Sequence, residues 1–227
     1  MNTIIGYGSL INPLSLVARY INYDFTEVYE SDHRLFDELQ VTELQRVWDD
    51  LDIECHPVTV TGFKRLYSIE HRGGGMLEVY PDEDEAITAI VYTDVPDDVY
   101  EAVVDTESMY SVCVVNESDI FPYTDFGTLP EDTEFMLFGA EKDIPNTSVR
   151  RHPVYHDRII EAHAFLIEDG ILSVEDSVQF LRDFLKMTYE FDEDSGEWVT
   201  LYQADGELDI HRFTEYLDIG ESYFGLE

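Results

Sequence analysis

Two short stretches of this 227-residue chain hold residue types that can do chemistry. The first is Gly6-Tyr7-Gly8-Ser9-Leu10, directly after the apolar segment Thr3-Ile4-Ile5. Its two glycines permit a tight turn, and such a turn after a strand can aim successive backbone N–H groups into one concavity that holds a carboxylate or an oxyanion. The stretch lacks the third glycine and the lysine of nucleotide loops, which excludes a nucleotide cradle. Nor does it read Gly-x-Ser-x-Gly, the pattern that makes a serine a nucleophile at an elbow, so Ser9 is not read as one. A plain tight turn is the alternative for the same residues. The second stretch is Glu107, a carboxyl between the apolar face of one predicted helix and a predicted strand over Tyr110 to Val115. Partial burial raises the proton affinity of a carboxyl, which is what a general base near neutral pH requires. A solvated acid at a helix end is the competing reading.

Other candidates carry less. His152 and His156 are four residues apart but separated by Pro153, with no third ligand in view, so they are expected at the surface and not on a metal. Cys55 and Cys113 are too few and too far apart for a disulfide framework or a zinc motif, and are expected to be reduced thiols.

The elements that must position these groups follow from pattern. Thr3 to Tyr7 reads as a short buried strand; Asn12-Pro13 then starts a helical stretch with Leu14, Leu16, Val17 and Tyr20. Phe25 to Leu51 reads as a helical excursion with Leu35, Leu39, Leu44 and Val47 at loosely helical spacing. Val58 to Thr61 and Phe63 to Ile69 read as strands interrupted at Gly62, followed by a turn at Gly73-Gly74-Gly75. Met76 to Tyr80 and Ala86 to Thr93 read as two more, separated by an acidic turn over Pro81 to Glu85. Pro96 suits a helix start, with Val99, Ala102 and Val103 on its apolar face and an end near Asp105. Glu134 to Phe138 reads as a strand and Val154 to His163 as a helix. Ser173 suits an N-cap ahead of Val174, Val178, Leu181 and Leu185 on one helix face. Asp194-Ser195-Gly196 turns between Tyr189 and Trp198, and a last helix is expected over Leu208 to Leu217. The fold class expected is α+β: a mixed β-barrel or strongly curved sheet flanked by helices.

Charge dominates the composition. Asp and Glu number 50 against 13 Lys and Arg, a formal net charge of −37. The acids are spread along the chain as a solvated coat, the pattern of a salt-accumulating cell in which high ionic strength screens self-repulsion. Nucleic acid and anionic membranes are excluded as partners by this surface; a basic partner protein remains the alternative use of it. No apolar run approaches the roughly 18 residues of a membrane span, and the N-terminus has no basic leader, so a cytoplasmic location is expected.

The order of segments resembles the gamma-glutamylcyclotransferase superfamily, ChaC-like proteins included. The resemblance is carried by Ile4 to Leu10, then Val60 to Ile69 with Gly62-Phe63-Lys64-Arg65, then Leu77-Glu78-Val79-Tyr80-Pro81, Ala86 to Tyr92 and Val103 to Tyr110. It covers roughly residues 3 to 165. The domain expected spans 1–168; a helical insertion at about 24–52 and an acidic, mainly helical C-terminal extension over 169–227 packed on it are expected as additions that the resemblance does not cover. The resemblance implies that Glu107 is the acid/base, and that the turn formed by Gly6, Tyr7, Gly8, Ser9 and Leu10 holds the glutamyl group. Tyr110 and Tyr155 fall at the family's pocket tyrosines. The chemistry implied is cyclisation of a small-molecule gamma-glutamyl amine or peptide to pyroglutamate, for which neither metal nor organic cofactor is needed, because closing a five-membered ring is intramolecular. The chain departs from the family at Val103-Val104, where a leucine-aspartate pair is usual, at Arg151-His152 in place of proline-serine, and at Ala162-His163 in place of glycine-alanine. An altered member acting as an interaction or regulatory protein is the alternative from a different class.

Overall fold

The computed structural model describes residues 2–22, 38–71, 74–123, 129–130, 133–140, 149 and 151–216. Strand β1 (Asn2–Gly6) leads into a 3-10 turn at Gly8–Ile11 and helix α1 (Pro13–Tyr20). Asn12 caps α1, its Oδ1 accepting from the Leu14 N–H at 2.9 Å, and Pro13 occupies the first helical turn, where no N–H is missed. Helix α2 (Glu38–Asp50) is the described part of the expected helical excursion; Phe25 and Leu35 of that reading lie outside the described residues. Trp48 of α2 donates from Nε1 to the Asp169 carboxylate at 3.1 Å, fastening the excursion to the body.

A long hairpin forms the middle of the sheet. Strand β2 runs Glu54–His71 and β3 runs Gly74–Val95, paired antiparallel over nearly their whole lengths. The acidic segment Pro81 to Glu85, expected as a turn between two strands, instead lies within β3. Pairing jumps there from Thr61↔Ala86 to Phe63↔Pro81, so residues 82–85 bulge outward opposite the single residue Gly62, whose φ of 87° bends β2 to match. The acids thus sit on an outward kink of a continuous hairpin, where ladder bonds on both sides outweigh the turn-forming local composition.

On this hairpin the remaining strands build one eight-stranded mixed sheet that does not close into a barrel. Helix α3 (Asp97–Thr106) follows β3, then β4 (Ser111–Val115), β5 (Ile120–Pro122) and β6 (Phe135–Gly139). Strand β1 lies between β3, antiparallel, and β6, parallel, and β4 flanks β6. Ile4 and Ile5, on opposite faces of β1, are both fully buried, as a central strand covered on two sides must be. Helix α4 (Pro153–Glu168) extends beyond the expected His163, and α5 (Val174–Lys186) has Ser173 as its cap, the Oγ accepting from the Asp176 N–H at 3.1 Å. The expected apolar face of α5 is in the core at Val178, Leu181 and Leu185.

Strands β7 (Thr188–Asp192) and β8 (Glu197–Thr200) form the hairpin turned by Asp194-Ser195-Gly196. β7 joins the sheet beside β2, with Arg65 opposite Thr188. The last described helix, α6, spans Leu201–Tyr216, starting seven residues before the expected Leu208. Among the described residues, no helix is long and apolar enough to cross a membrane.

Candidate functional site

The Gly6-to-Leu10 turn is fixed by groups from two strands and a helix. Gly6 is required by crowding, since a Cβ there would strike the Leu10 carbonyl and the Tyr92 ring. The Tyr92 hydroxyl in turn donates to the Leu10 carbonyl at 2.7 Å. Gly8 has φ of 62°, a conformation that costs other residues strain, and a Cβ there would lie 2.7 Å from the Tyr155 hydroxyl. Tyr7 is buried and its hydroxyl donates to the Phe138 carbonyl on β6. The Leu10 N–H bonds back to the Tyr7 carbonyl at 3.3 Å. That leaves the N–H groups of Gly8 and Ser9 as the leading donors of a 3-10 turn, which have no partner within it.

Glu107 arrives from the other direction. Val99 and Val103 bury the apolar face of α3, and the helix ends with Glu107 as its C-cap, whose N–H bonds the Val103 carbonyl at 2.9 Å. A carboxylate at a helix C-terminus opposes the helix dipole, and α3 has no basic residue in its last turn to offset it. The compensation comes from Arg19, at the end of α1. Its Nε and Nη2 both lie 2.8 Å from Glu107 Oε1, across 88 positions of chain. The same Nη2 reaches Ser9 Oγ at 3.3 Å, and Nη1 donates to the Ser15 carbonyl at 2.9 Å. One guanidinium therefore joins the carboxyl to the turn. The side chains of the pair are 14% and 12% exposed, so the pair is not sealed from solvent.

Three tyrosines close around this meeting point. Tyr110 caps the turn after α3, its N–H bonding the Glu107 carbonyl at 2.9 Å. Burial pushes the Tyr110 phenol well above its ordinary pKa, and the fields of Tyr155, Glu107 and Glu78 add to the shift. Tyr7 is raised in the same way, first by burial and then by Tyr110, Glu107, Tyr155 and Glu78. Mutual influence of this kind puts Tyr7, Tyr110, Tyr155 and Glu107 in one neighbourhood, and the Tyr7 and Tyr110 phenols are neutral hydrogen-bonding groups at physiological pH.

The structure therefore brings together Gly6, Tyr7, Gly8, Ser9, Leu10, Tyr110, Tyr155 and Glu107. Sequence reasoning missed two members of the cluster. Arg19 had a signal available, for it is one of only ten arginines in a chain crowded with acids, placed one turn after Ser15 on the helix that follows the glycines. Glu78 on β3 carries no local signal that sets it apart from the other acids; its Oε2 accepts from the Tyr80 hydroxyl at 2.5 Å and from Ser68 Oγ at 3.3 Å.

The histidines depart from expectation. His152 and His156 are buried, at 9% and 1% exposure, and are not surface groups. His152 Nδ1 accepts from the Tyr155 N–H as the cap of α4, and His156 is held between Tyr67 and Asp209. Proline at the first turn of α4 makes room for the cap, and the polar partners come from chain segments that local spacing does not reveal. Among the described residues, no group of three or more His, Cys, Asp and Glu could hold a metal ion.

No protein family matches this chain, and no curated protein matches it in sequence. In overall shape it is similar to several solved structures. One is described as a gamma-glutamyl cyclotransferase, at 12% identity and a TM-score of 0.42 over 78% of this chain and 85% of that one. Another is YkqA from Bacillus subtilis, at 12% identity and a TM-score of 0.44 over 83% of this chain; the match takes in 56% of the Bacillus protein. A third is a protein of Arabidopsis thaliana solved in solution, at 14% identity and a TM-score of 0.38 over 74% and 87%.

Proposed function

We propose that this protein cyclises a gamma-glutamyl amine or peptide to pyroglutamate, with Glu107 as the acid/base and the Gly6-to-Leu10 turn, Tyr110 and Tyr155 as the cradle for the glutamyl group. The observation that carries the reading is the single guanidinium of Arg19 shared by Glu107 Oε1 and Ser9 Oγ. It unites a carboxyl and a glycine-rich turn that could divide the work of proton transfer and orientation.

In the proposed reaction Glu107 takes a proton from the substrate's α-ammonium. The freed amine attacks its own γ-carbonyl carbon, forming the ring C–N bond and placing negative charge on the carbonyl oxygen, which the Gly8 and Ser9 N–H groups would stabilise. Collapse of the tetrahedral species breaks the bond to the departing amine, Glu107 gives its proton to that nitrogen, and the regenerated carboxylate takes the second proton from the ring nitrogen to leave the neutral lactam, passing it to the released amine or to water. Ring closure within one molecule needs orientation above all, so a rigid turn and buried tyrosines suit it. Arg19 holds Glu107 in place by one oxygen.

The test is pyroglutamate release from gamma-glutamyl dipeptides and gamma-glutamyl amines in molar KCl, where the −37 charge is screened. Turnover is expected to fall by about 10² to 10⁴ in Glu107→Gln with folding intact. Undiminished turnover in that variant, or no pyroglutamate from any of these substrates with the native protein, rejects the reading.

A further inference from the structure

The C-terminal helix reaches the site through a buried line of polar groups that the proposed chemistry leaves unused. Asp209 on α6 is fully buried, and its Oδ2 lies 3.0 Å from His156 Nε2 on α4. The other ring nitrogen, Nδ1, lies 2.8 Å from the Tyr67 hydroxyl on β2. With Nε2–H donating to the carboxylate, Nδ1 is left to accept from the Tyr67 O–H, so each group fixes the orientation of the next. Arg151 balances the charge: its Nη1 is 3.5 Å from Asp209 Oδ2 and 3.4 Å from His156 Nε2, and its Nε is 3.6 Å from Glu190 on β7. Burial pushes the Tyr67 phenol well above its ordinary pKa, so it keeps its proton and serves as a fixed donor, not a nucleophile.

The line does not stop at Tyr67. Its ring stands edge-on to that of Tyr155, with centroids 6.3 Å apart at 89°, and edge-on to His156 at 6.0 Å. The Tyr155 hydroxyl lies against Gly8, closely enough to exclude a methyl group there. A carboxylate on the last described helix is thus linked, through two hydrogen bonds and one ring contact, to the wall of the glycine turn.

We propose that Asp209 is a positioning residue for the site, a carboxylate of the C-terminal helix that acts through His156 and Tyr67 to hold Tyr155 against Gly8. The proposal rests on the reading of that turn as the substrate cradle, but part of its test does not. In the full-length protein, the ¹⁵N resonances of His156 report its tautomer. The ¹³C ring resonances of tyrosine, with Tyr155 assigned from Y155F, report the wall. Asp209→Asn is expected to change the His156 nitrogens and to shift or broaden Tyr155. Tyr67→Phe, which removes one hydroxyl and no charge, is expected to move Tyr155 as well and serves if the Asn variant does not fold. In turnover assays Tyr67→Phe is expected to raise KM about tenfold, the scale of one lost buried hydrogen bond, with kcat nearly kept because Glu107 is untouched. A Tyr155 resonance unmoved in the folded variants, or a KM equal to that of the native protein, overturns the proposal. If the native protein releases no pyroglutamate at all, the proposed reaction falls, and the resonances alone then decide whether Asp209 reaches Tyr155.

Discussion

The Arg19–Glu107 pair and the seam beneath the C-terminal elements are both built from scarce cations, and they use them in opposite ways. At the site, the guanidinium meets a carboxylate near the surface. In the seam, Arg65 is fully buried, and its described bonds go to neutral oxygens: the Thr188 and Thr88 hydroxyls and the Thr88 and Phe184 carbonyls, at 2.7 to 3.3 Å. Its guanidinium also lies 4.0 Å over the Phe184 ring. Burial draws the Arg65 pKa down to about 9, which measures how hard it is to keep a cation there. The lesson is that full burial leaves a cation to neutral partners that hold the chain together, whereas partial burial lets it meet a carboxylate that water also reaches.

The contrast breaks most visibly at Arg65. Arg65→Ala leaves a cavity and strips hydrogen bonds from buried carbonyls where α5, β7 and β3 meet, and is expected to cost about 3 to 5 kcal/mol of unfolding free energy. Denaturant titration in molar KCl measures it, with kcat of the remaining folded protein unchanged. A loss under about 1 kcal/mol would show that the seam does not hold the C-terminal elements in place.

Next in size is a pH effect at His163. This side chain is fully buried between Phe180 and Phe184, its Nδ1 donates to the Ile159 carbonyl, and its Nε2 has no hydrogen-bond partner among the described residues. Burial lowers its pKa to about 3. The unfolded chain accepts a proton near pH 6.5 that the folded chain refuses until about pH 3, so this contribution to stability is complete above 6.5 and is lost as pH falls. Acidifying from pH 6.5 to 5 is expected to cost about 2 kcal/mol at this residue. The comparison is with His163→Phe, which keeps a ring and removes the titration: its stability should fall less over the same interval. Parallel curves would mean that His163 is charged inside the fold.

These two regions also differ in how far the sequence disclosed them. Glycines six and eight, Asn12-Pro13, Pro96, Ser173 and the spacing of apolar residues on α5 are local signals, and each marks an element that formed where expected. Pro81 to Glu85 misled because a proline and four acids imitate a turn, while the pairing that keeps them in β3 is set by β2. At the site, two glycines marked the turn and the resemblance singled out Glu107; Arg19 offered only its scarcity as a signal, since its partner lies 88 positions away. The seam was hidden altogether. His156 and Asp209 are joined across 53 positions, and Arg65 sits in a stretch whose alternation shows only a strand. Arg151 and His163 touch the C-terminal elements: Arg151 meets Glu190 and Asp209, and the His163 carbonyl accepts from Ser177 Oγ at 2.8 Å. Those positions are shaped by what packs on them.

A smaller effect sharpens the site's half of the contrast. Arg19→Lys keeps the charge but loses the planar fork that spans Glu107, Ser9 and the Ser15 carbonyl. A drop of about tenfold in kcat is expected, with a stability change of about 1 kcal/mol or less. Full activity in this variant would mean that Glu107 is held by other groups.

The smallest expected effects compare two glycines of similar backbone and different surroundings. Gly62, at the bulge of the hairpin, has φ of 87° and open space within 4 Å of where a Cβ would stand. Gly62→Ala therefore carries strain alone, about 1 kcal/mol, and leaves KM unchanged. Gly8, with φ of 62°, adds a collision to the same strain, since a Cβ would sit 2.7 Å from the Tyr155 hydroxyl and 3.5 Å from Leu77. Tyr155 must give way, so Gly8→Ala is expected to cost a similar stability and in addition to raise KM several-fold by displacing the cradle's wall. Thermal or denaturant unfolding and steady-state kinetics on the two variants separate the terms. Equal KM values in both would remove Tyr155 from the substrate's surroundings and leave the glycine turn as no more than a bend in the chain.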